Sequence, residues 1–411
     1  MYRSFYVAMV IVGSGTIAQA QHPADWTQWR GAARDGSVAA FAPPPTWPDA
    51  LVRRWTVEIG SGYATPIGVG DSVYPFSRIA ENETMTAFDA ATGRQLWQRG
   101  YPAPFTMMSA TTAHGPGPKS TPVFFNGRIY SIGMTGTVTA WDADSGKQLW
   151  QKPGDPKNVP LYTTHSFSPI VERGTVIFHL GGDNNGAITA FDLITGAERW
   201  AWTDDGPGYG SPVITDVAGT RQLVTITQSK VVGLDASTGT LLWERPFVTA
   251  ANKINSGTPV AQGATIIISG AGTPSTAFVI SRTGAQWITE PLWENTDLRA
   301  FFTDPVIAGD VLVGLAQRNS GQYNGVDLKS GKTLWTSEGR QATKAALQRA
   351  GDLVFSLESD GELVVARQSR TAFDVVKRYK VADQDTWSQP AISGNRIFVK
   401  DVSTLTAWTL N

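Results

Sequence analysis

The sequence predicts an all-β fold: an eight-bladed β-propeller of four-stranded antiparallel blades, closed by an N-terminal strand. Three observations carry that expectation. A hairpin phrase recurs, a proline-led strand recurs upstream of it, and the last unit is one strand short while a matching strand stands near the N-terminus. The phrase reads AFDAATGRQLW at 87–97, AWDADSGKQLW at 140–150, AFDLITGAERW at 190–200, GLDASTGTLLW at 233–243 and GVDLKSGKTLW at 325–335. Fixed internal spacing of this kind marks a repeat architecture rather than one catalytic loop.

Each part of the phrase has a physical reading. The carboxylates of Asp89, Asp142, Asp192, Asp235 and Asp327 can accept backbone N–H groups of the following turn. Gly93, Gly146, Gly196, Gly239 and Gly331 supply the left-handed residue that reverses the chain. Trp97, Trp150, Trp200, Trp243 and Trp335 then anchor the returning strand. Burying an aromatic of ~200 Å² at ~25 cal/mol per Å² is worth about 5 kcal/mol before entropy is charged, which is motive enough for one anchor between each pair of blades. The Asp, Gly and Trp of the phrase are therefore assigned to structure.

The second signal is a strand opened by Pro66, Pro122, Pro169, Pro212, Pro259, Pro305 or Pro390, with Ala345 where an eighth proline would fall. Proline at the start of a strand costs no ladder bond. Counting outer strands adds Trp293 and, in the weak seventh unit, Tyr379 as the substitute for Trp. The final unit, IFVKDVSTLTAW, ends one strand short, and LVRRWTVEIG at 51–60, carrying Trp55, supplies it. A closed ring of blades follows, which removes the open ends a linear solenoid would have to cap.

Residues 1–20, MYRSFYVAMVIVGSGTIAQA, read as a secretory signal: one Arg, an apolar run from Phe5 to Val12 and a small-x-small site at Ala18-Gln19-Ala20. The run is too short to span a bilayer, so the expected location is periplasmic or secreted, with no membrane span. Residues 21–50 form a polar, Pro-interrupted lead expected to wrap a surface, and 51–411 form the propeller. Lys and Arg number 34 against 35 acidic residues, leaving no broad basic face for nucleic acid. The absence of cysteine removes disulfides, thiolate metal sites, c-type haem attachment and N-terminal lipidation. The expected state is a monomer.

In such a ring the connections into the innermost strands gather around the central channel on one face, and the Thr-Gly turns fall on the other. The residues just ahead of the leading prolines are therefore the candidates for ligand or partner binding: Tyr63, Lys119, His165, Tyr209, Asn255, Thr303, Lys344 and Trp387. His114 and His165 lie in consecutive loops and could converge, but with four histidines in the chain a multi-histidine metal site is not expected. No catalytic residue stands out.

The pattern A-x-D-x-x-T-G-x-x-x-W, spread over 51–411, resembles the tryptophan-docking repeat of the PQQ-like (pyrroloquinoline quinone) β-propeller family, and DWTQWRGAARDG at 25–36 resembles the opening of many such propellers. The resemblance implies one of two functions. The dehydrogenase branch implies a larger chain that holds PQQ and Ca²⁺ with acidic and amide side chains, an Asp base and a disulfide of adjacent cysteines; this chain has no Cys and keeps a short repeat interval. The other branch resembles the propeller subunit of the outer-membrane barrel-assembly machinery and implies a periplasmic scaffold that binds partners through its loops. The expectation is a non-catalytic scaffold for a protein or cell-envelope partner, without cofactor or metal. The alternative is a compact quinoprotein dehydrogenase using PQQ and Ca²⁺ at the channel mouth.

Overall fold

A computed structural model describes residues 22–107, 112, 115–183, 185–249 and 254–410. The secretory signal read at 1–20 and His114 lie outside the described residues. Eight antiparallel sheets form a β-propeller. Blade 1 covers 67–102, blade 2 123–152, blade 3 170–202, blade 4 213–246, blade 5 260–295, blade 6 306–336, blade 7 345–380 and blade 8 391–409. In blade 1 the second strand is split around Pro75, which has no N–H to give, and its halves Ser72–Tyr74 and Phe76–Ile79 both pair with Asn82–Asp89. Blade 8 takes its outer strand, Val52–Glu58, from the N-terminal side, with Trp55 opposite Ala407 and Thr56 opposite Thr406. The ring is closed as the sequence predicts.

The tryptophan phrase works between blades. In each blade the register shifts by one residue between the third and outer strands, and in all but blade 7 the residue there on the third strand is Ala or Gly, as where Trp97 faces Ala87 and Trp150 faces Ala140. A bulge there re-aims the ring out of its own sheet. Trp55, Trp97, Trp150, Trp200 and Trp293 reach the turn of the next blade, where a Cβ built on Gly93, Gly146, Gly196, Gly239 or Gly331 would stand 2.4–2.7 Å from a ring atom. These glycines also have φ of 67–72°, so left-handed geometry and close approach both require them. The ring N–H of Trp97 donates to Ala143 O at 2.9 Å and that of Trp150 to Leu193 O at 3.1 Å, each one residue past the phrase's Asp. The carboxylates cap their turns as expected: Asp192 Oδ1 accepts Ile194 N, Thr195 N and Thr195 Oγ1 at 2.8–2.9 Å.

Two blades depart from the pattern. The blade 5 turn lacks the phrase, and nothing lies within 4 Å of a Cβ built on its Gly284. With no turn to dock on, Trp243 donates to Gln222 Oε1 of its own blade at 2.7 Å and packs edge-on against Phe278. In blade 7 the bulge register puts Lys377, opposite Val365, at the tryptophan position. This corrects the assignment of Tyr379, which stands two residues further on, buried, with its hydroxyl donating to Pro48 O at 2.9 Å.

The hydrophobic cores lie between neighbouring blades, as where Ile177, Ile188 and Ala190 of blade 3 meet Leu223, Val232 and Leu234 of blade 4. Around the channel a second set of bonds links the blades. The residue immediately before each leading proline sends its N–H to the side-chain oxygen of its equivalent in the next blade: Thr65 to Thr121 at 3.1 Å, Thr121 to Ser168 at 2.9 Å, Ser168 to Ser211 at 3.0 Å, Ser211 to Thr258 at 3.3 Å and Thr258 to Asp304 at 2.8 Å. Gln389 N closes the circle onto Thr65 Oγ1 at 3.0 Å. The pattern changes beside blade 7, the blade without a leading proline, where Ala345 N donates to Thr303 Oγ1 and Gln348 Nε2 to Pro390 O.

Residues 25–38 of the lead run through the channel and hydrogen-bond to all eight blades. Trp26 exchanges backbone bonds with Gly68 at 2.7 and 3.0 Å, and Thr27 O accepts Phe124 N at 2.8 Å. The Arg34 guanidinium donates to Ser168 O, Pro169 O and Pro212 O, all at 2.9 Å. Trp29 Nε1 donates to Thr258 Oγ1 at 3.0 Å, Arg30 Nη2 to Pro305 O at 2.7 Å, and Arg30 N to Gln389 Oε1 at 3.1 Å. Val38 N donates to Arg349 O at 2.8 Å. A surface wrap is therefore found only further along, where Phe41 and Trp47 pack on Phe355 of blade 7. The carbonyls of Pro169, Pro212 and Pro305 need donors at the axis, and Arg34 and Arg30 of the lead supply them.

Candidate functional site

The channel, divided by the lead, leaves a cavity of about 150 Å³ at the mouth on the face of the inter-blade connections. Five of the sequence candidates line it: Tyr63, Lys119, Tyr209, Lys344 and Trp387. The rule behind this is register. Tyr63, Lys119, Tyr209 and Trp387 each stand three residues before their leading proline, and so do Ser166, Ser256 and Phe302, which also line the cavity.

His165, Asn255 and Thr303 do not line the cavity, because they stand four, four and two residues ahead of the proline and are buried behind it. Asn255 Nδ2 donates to Thr227 O, Gln228 O and Phe247 O at 3.0–3.1 Å, tying the connection between blades 4 and 5. Thr303 serves the inter-blade bond already described. Neither ring nitrogen of the buried His165 has a hydrogen-bond partner among the described residues. Burial, helped by the neighbouring His179, pushes its pKa down to about 3. Sequence reasoning missed Phe302 and the serines for want of a strict count from the proline, and missed Trp29 because its place in the channel follows from the path of the lead.

The lining includes a cluster of aromatic rings, two lysines and one carboxylate, Asp304. Tyr63 and Trp387 have ring centroids 5.5 Å apart, and Phe302 stands edge-on to Trp387 at 6.1 Å. Lys344 Nζ lies 3.0 Å from the Trp387 ring centroid, and Lys119 Nζ lies 4.5 Å over Tyr63. Burial lowers the Lys119 pKa to about 7, with the charge of Lys400 adding to the effect, and lowers that of Lys344 to about 8, opposed by Asp385. Burial, then Asp385, raises the Tyr63 hydroxyl. The site suits an anion with a flat or bulky apolar body.

The dehydrogenase branch implies a quinone held with calcium, and the lining side chains are a poor match for the cation. The one lining carboxylate is Asp304, whose Oδ1 accepts Thr258 N at 2.8 Å and whose Oδ2 stands 3.6 Å from Arg30. The lining amide oxygen, Gln389 Oε1, accepts Arg30 N. Both are committed to holding the lead, and among the described residues no group of three or more acidic, His or Cys side chains gathers as a metal cage.

The comparisons with known proteins follow the same two branches. A family model described as "Outer membrane protein assembly factor BamB" matches residues 81–292 and 289–409. The chain belongs to that family. An outer membrane protein assembly factor BamB of Burkholderia pseudomallei is 27% identical over 60% of this chain and 69% of its own length. The dehydrogenase subunit of an Acetobacter aceti quinone alcohol dehydrogenase is 29% identical over 36% of this chain but only 21% of its own length. The crystal structure of BamB from Moraxella catarrhalis superposes with a TM-score of 0.63 at 16% identity, over 88% of this chain and 98% of that one, a likeness of fold. No helix among the described residues is long and apolar enough to cross a membrane.

Proposed function

We propose that this chain is a periplasmic, non-catalytic propeller that acts as a binding scaffold in outer-membrane protein assembly and engages its partner at the channel mouth. The observation that carries the reading is the plugged channel. The lead occupies the axis and commits Asp304 and Gln389, leaving at the mouth a recess that carries Lys119, Lys344 and the rings of Tyr63, Phe302 and Trp387. Membership of the BamB family supports the assembly role, and the secretory signal read at 1–20 supports the location.

The alternative, a compact quinoprotein, draws on the dehydrogenase relatives and on the aromatic, lysine-bearing recess, which suits a planar polyanion better than it suits a cation. The test deletes the gene in its host and measures folded outer-membrane β-barrels by heat-modifiable gel mobility, with rescue by the wild-type chain. In parallel, purified protein is titrated with PQQ and Ca²⁺ while dye-linked alcohol and sugar oxidation are followed. Reduced barrel assembly, restored by the wild-type gene, is the expected result. Normal assembly together with saturable PQQ binding and turnover would overturn the scaffold reading.

A further inference from the structure

A second cavity, of about 300 Å³, lies past the leading prolines on the first strands of blades 3, 4 and 5 and shares no lining residue with the mouth. Ala32 and Ala33 of the lead stand in its lining and are exposed, which gives it a way to solvent. Its charges do not cancel. Glu172 is taken by Arg221, which donates to both carboxylate oxygens at 2.7 Å, and Asp35 by Ser37 N at 2.8 Å and Arg349 Nη2 at 3.1 Å. Arg30 stands 3.6 Å from Asp304, and its Nη1 has no hydrogen-bond acceptor among the described residues. Arg34 is buried, and four of its five N–H groups go to neutral oxygens, those of Ser168, Pro169, Pro212 and the Gln28 amide. The charge that acts on it is another cation, Arg30, which adds to burial in lowering its pKa to about 9. A guanidinium taken from water without a counter-charge regains stabilisation from an arriving anion.

The backbone adds donors. In blades 1 and 2 the residue two places past the leading proline turns its N–H into the channel, where Gly68 N donates to Trp26 O at 3.0 Å and Phe124 N to Thr27 O at 2.8 Å. Both stand an odd number of residues before the pair that closes their hairpin, and so do Val171, Ile214 and Ala261, which hold the same place after the prolines of blades 3, 4 and 5. Ladder bonds alternate along an antiparallel pair, so these three N–H groups point inward too, each with its own carbonyl beside it. All three residues line the cavity, and among the described residues the lead gives their N–H groups no acceptor. The cavity therefore offers donors, acceptors and an unmatched guanidinium. Inorganic phosphate answers all of them, since at neutral pH it carries both charged oxygens and a P–OH, and its charged oxygens suit the guanidinium fork. We infer that this cavity binds inorganic phosphate, with its charged oxygens toward Arg34 and the inward N–H groups of blades 3 to 5 and its P–OH toward a carbonyl of the same strands. The site lies apart from the mouth and does not depend on the scaffold reading.

The test titrates the purified full chain with sodium phosphate by isothermal calorimetry at pH 7 and fixed ionic strength, with sulfate and glycerol 3-phosphate in parallel. Phosphate is expected to bind saturably, and sulfate, which has no hydroxyl to donate at this pH, at least about tenfold more weakly. Ala33→Asp sets a carboxylate at an exposed lining position and should weaken phosphate by at least about tenfold with an unchanged urea midpoint. Phosphate should raise the urea midpoint of the wild type but not that of Arg34→Met, each compared with its own midpoint without phosphate. Absence of saturable binding, or sulfate binding as tightly as phosphate, overturns the inference. Wild-type affinity in Ala33→Asp, or a midpoint that phosphate still raises in Arg34→Met, would put the ion elsewhere on the protein and overturn it as well. Tighter binding of glycerol 3-phosphate would assign the cavity to a phosphate monoester and overturn the free-ion assignment.

Discussion

The docking of each tryptophan on its neighbour's turn can be isolated by comparing two glycines that share a backbone conformation and differ in what lies beyond it. Gly146 has φ of 70° and Gly284 has φ of 62°, so alanine at either carries a left-handed penalty of roughly 1–2 kcal/mol. At Gly284 the new methyl meets nothing within 4 Å. At Gly146 it would stand 2.4 Å from Trp97 Cε3 and 2.8 Å from Arg99 Cγ, both on the preceding blade. The ring must then leave the turn, adding overpacking of about 1–3 kcal/mol and loss of the bond from Trp97 Nε1 to Ala143 O, worth about 1 kcal/mol. Gly146→Ala is therefore expected to cost roughly 3–6 kcal/mol and Gly284→Ala roughly 1–2 kcal/mol, read from equilibrium urea unfolding. Equal losses would mean that the glycine of the phrase serves only its own turn, and the inter-blade account of the repeat would be refuted.

Two further perturbations probe the interior of the ring. Arg34→Met removes three charge-assisted bonds to carbonyls of blades 3 and 4 and is expected to cost about 3–5 kcal/mol, with Arg34→Lys recovering only part; wild-type stability in both would show that the lead does not brace the channel. Burial lowers His165 to about 3 and His179 to about 4, so both remain neutral in the folded ring while the unfolded chain takes up protons below about 6.5. The stability they contribute is complete above that ordinary value and falls as pH drops toward the lowered ones, by about 1.4 kcal/mol per histidine per pH unit. Urea midpoints between pH 7 and 5 should therefore fall less steeply in a His165→Gln, His179→Gln double variant than in the wild type, and parallel slopes would contradict the assignment.

What the sequence reveals, and what it hides, follows from how local each feature is. The blades were legible because their signals are short: Asp192, Gly196 and Trp200 sit within one turn and its flanking strands, and the missing outer strand around Trp55 carries the same pattern. The channel mouth was partly legible. Tyr63, Lys119, Tyr209 and Trp387 share a fixed offset from their prolines, whereas His165, Asn255 and Thr303 were picked for chemical type and fall out of that register. Tyr379 was chosen as an aromatic near the right place, but the bulge in blade 7 selects Lys377, and a bulge leaves no mark in composition. The path of the lead was not legible at all. Arg30 and Arg34 are held by carbonyls of Pro305, Pro212 and Pro169, contacts that span up to 275 positions of chain and depend on backbone groups common to every sequence.

The account rests on the N-terminal side of the chain sealing the ring and so forming the mouth. Thr56 and Thr406 face each other across that seam with hydroxyl oxygens 3.0 Å apart, and the chain has no cysteine of its own to confuse a cross-link. In an oxidised Thr56→Cys, Thr406→Cys variant, the account predicts a single intramolecular disulfide, seen as one cross-linked peptide pair by mass spectrometry and no maleimide uptake by the native protein. Two thiols that remain free and label in the folded state would place the strand elsewhere and contradict the closure on which the proposed site depends.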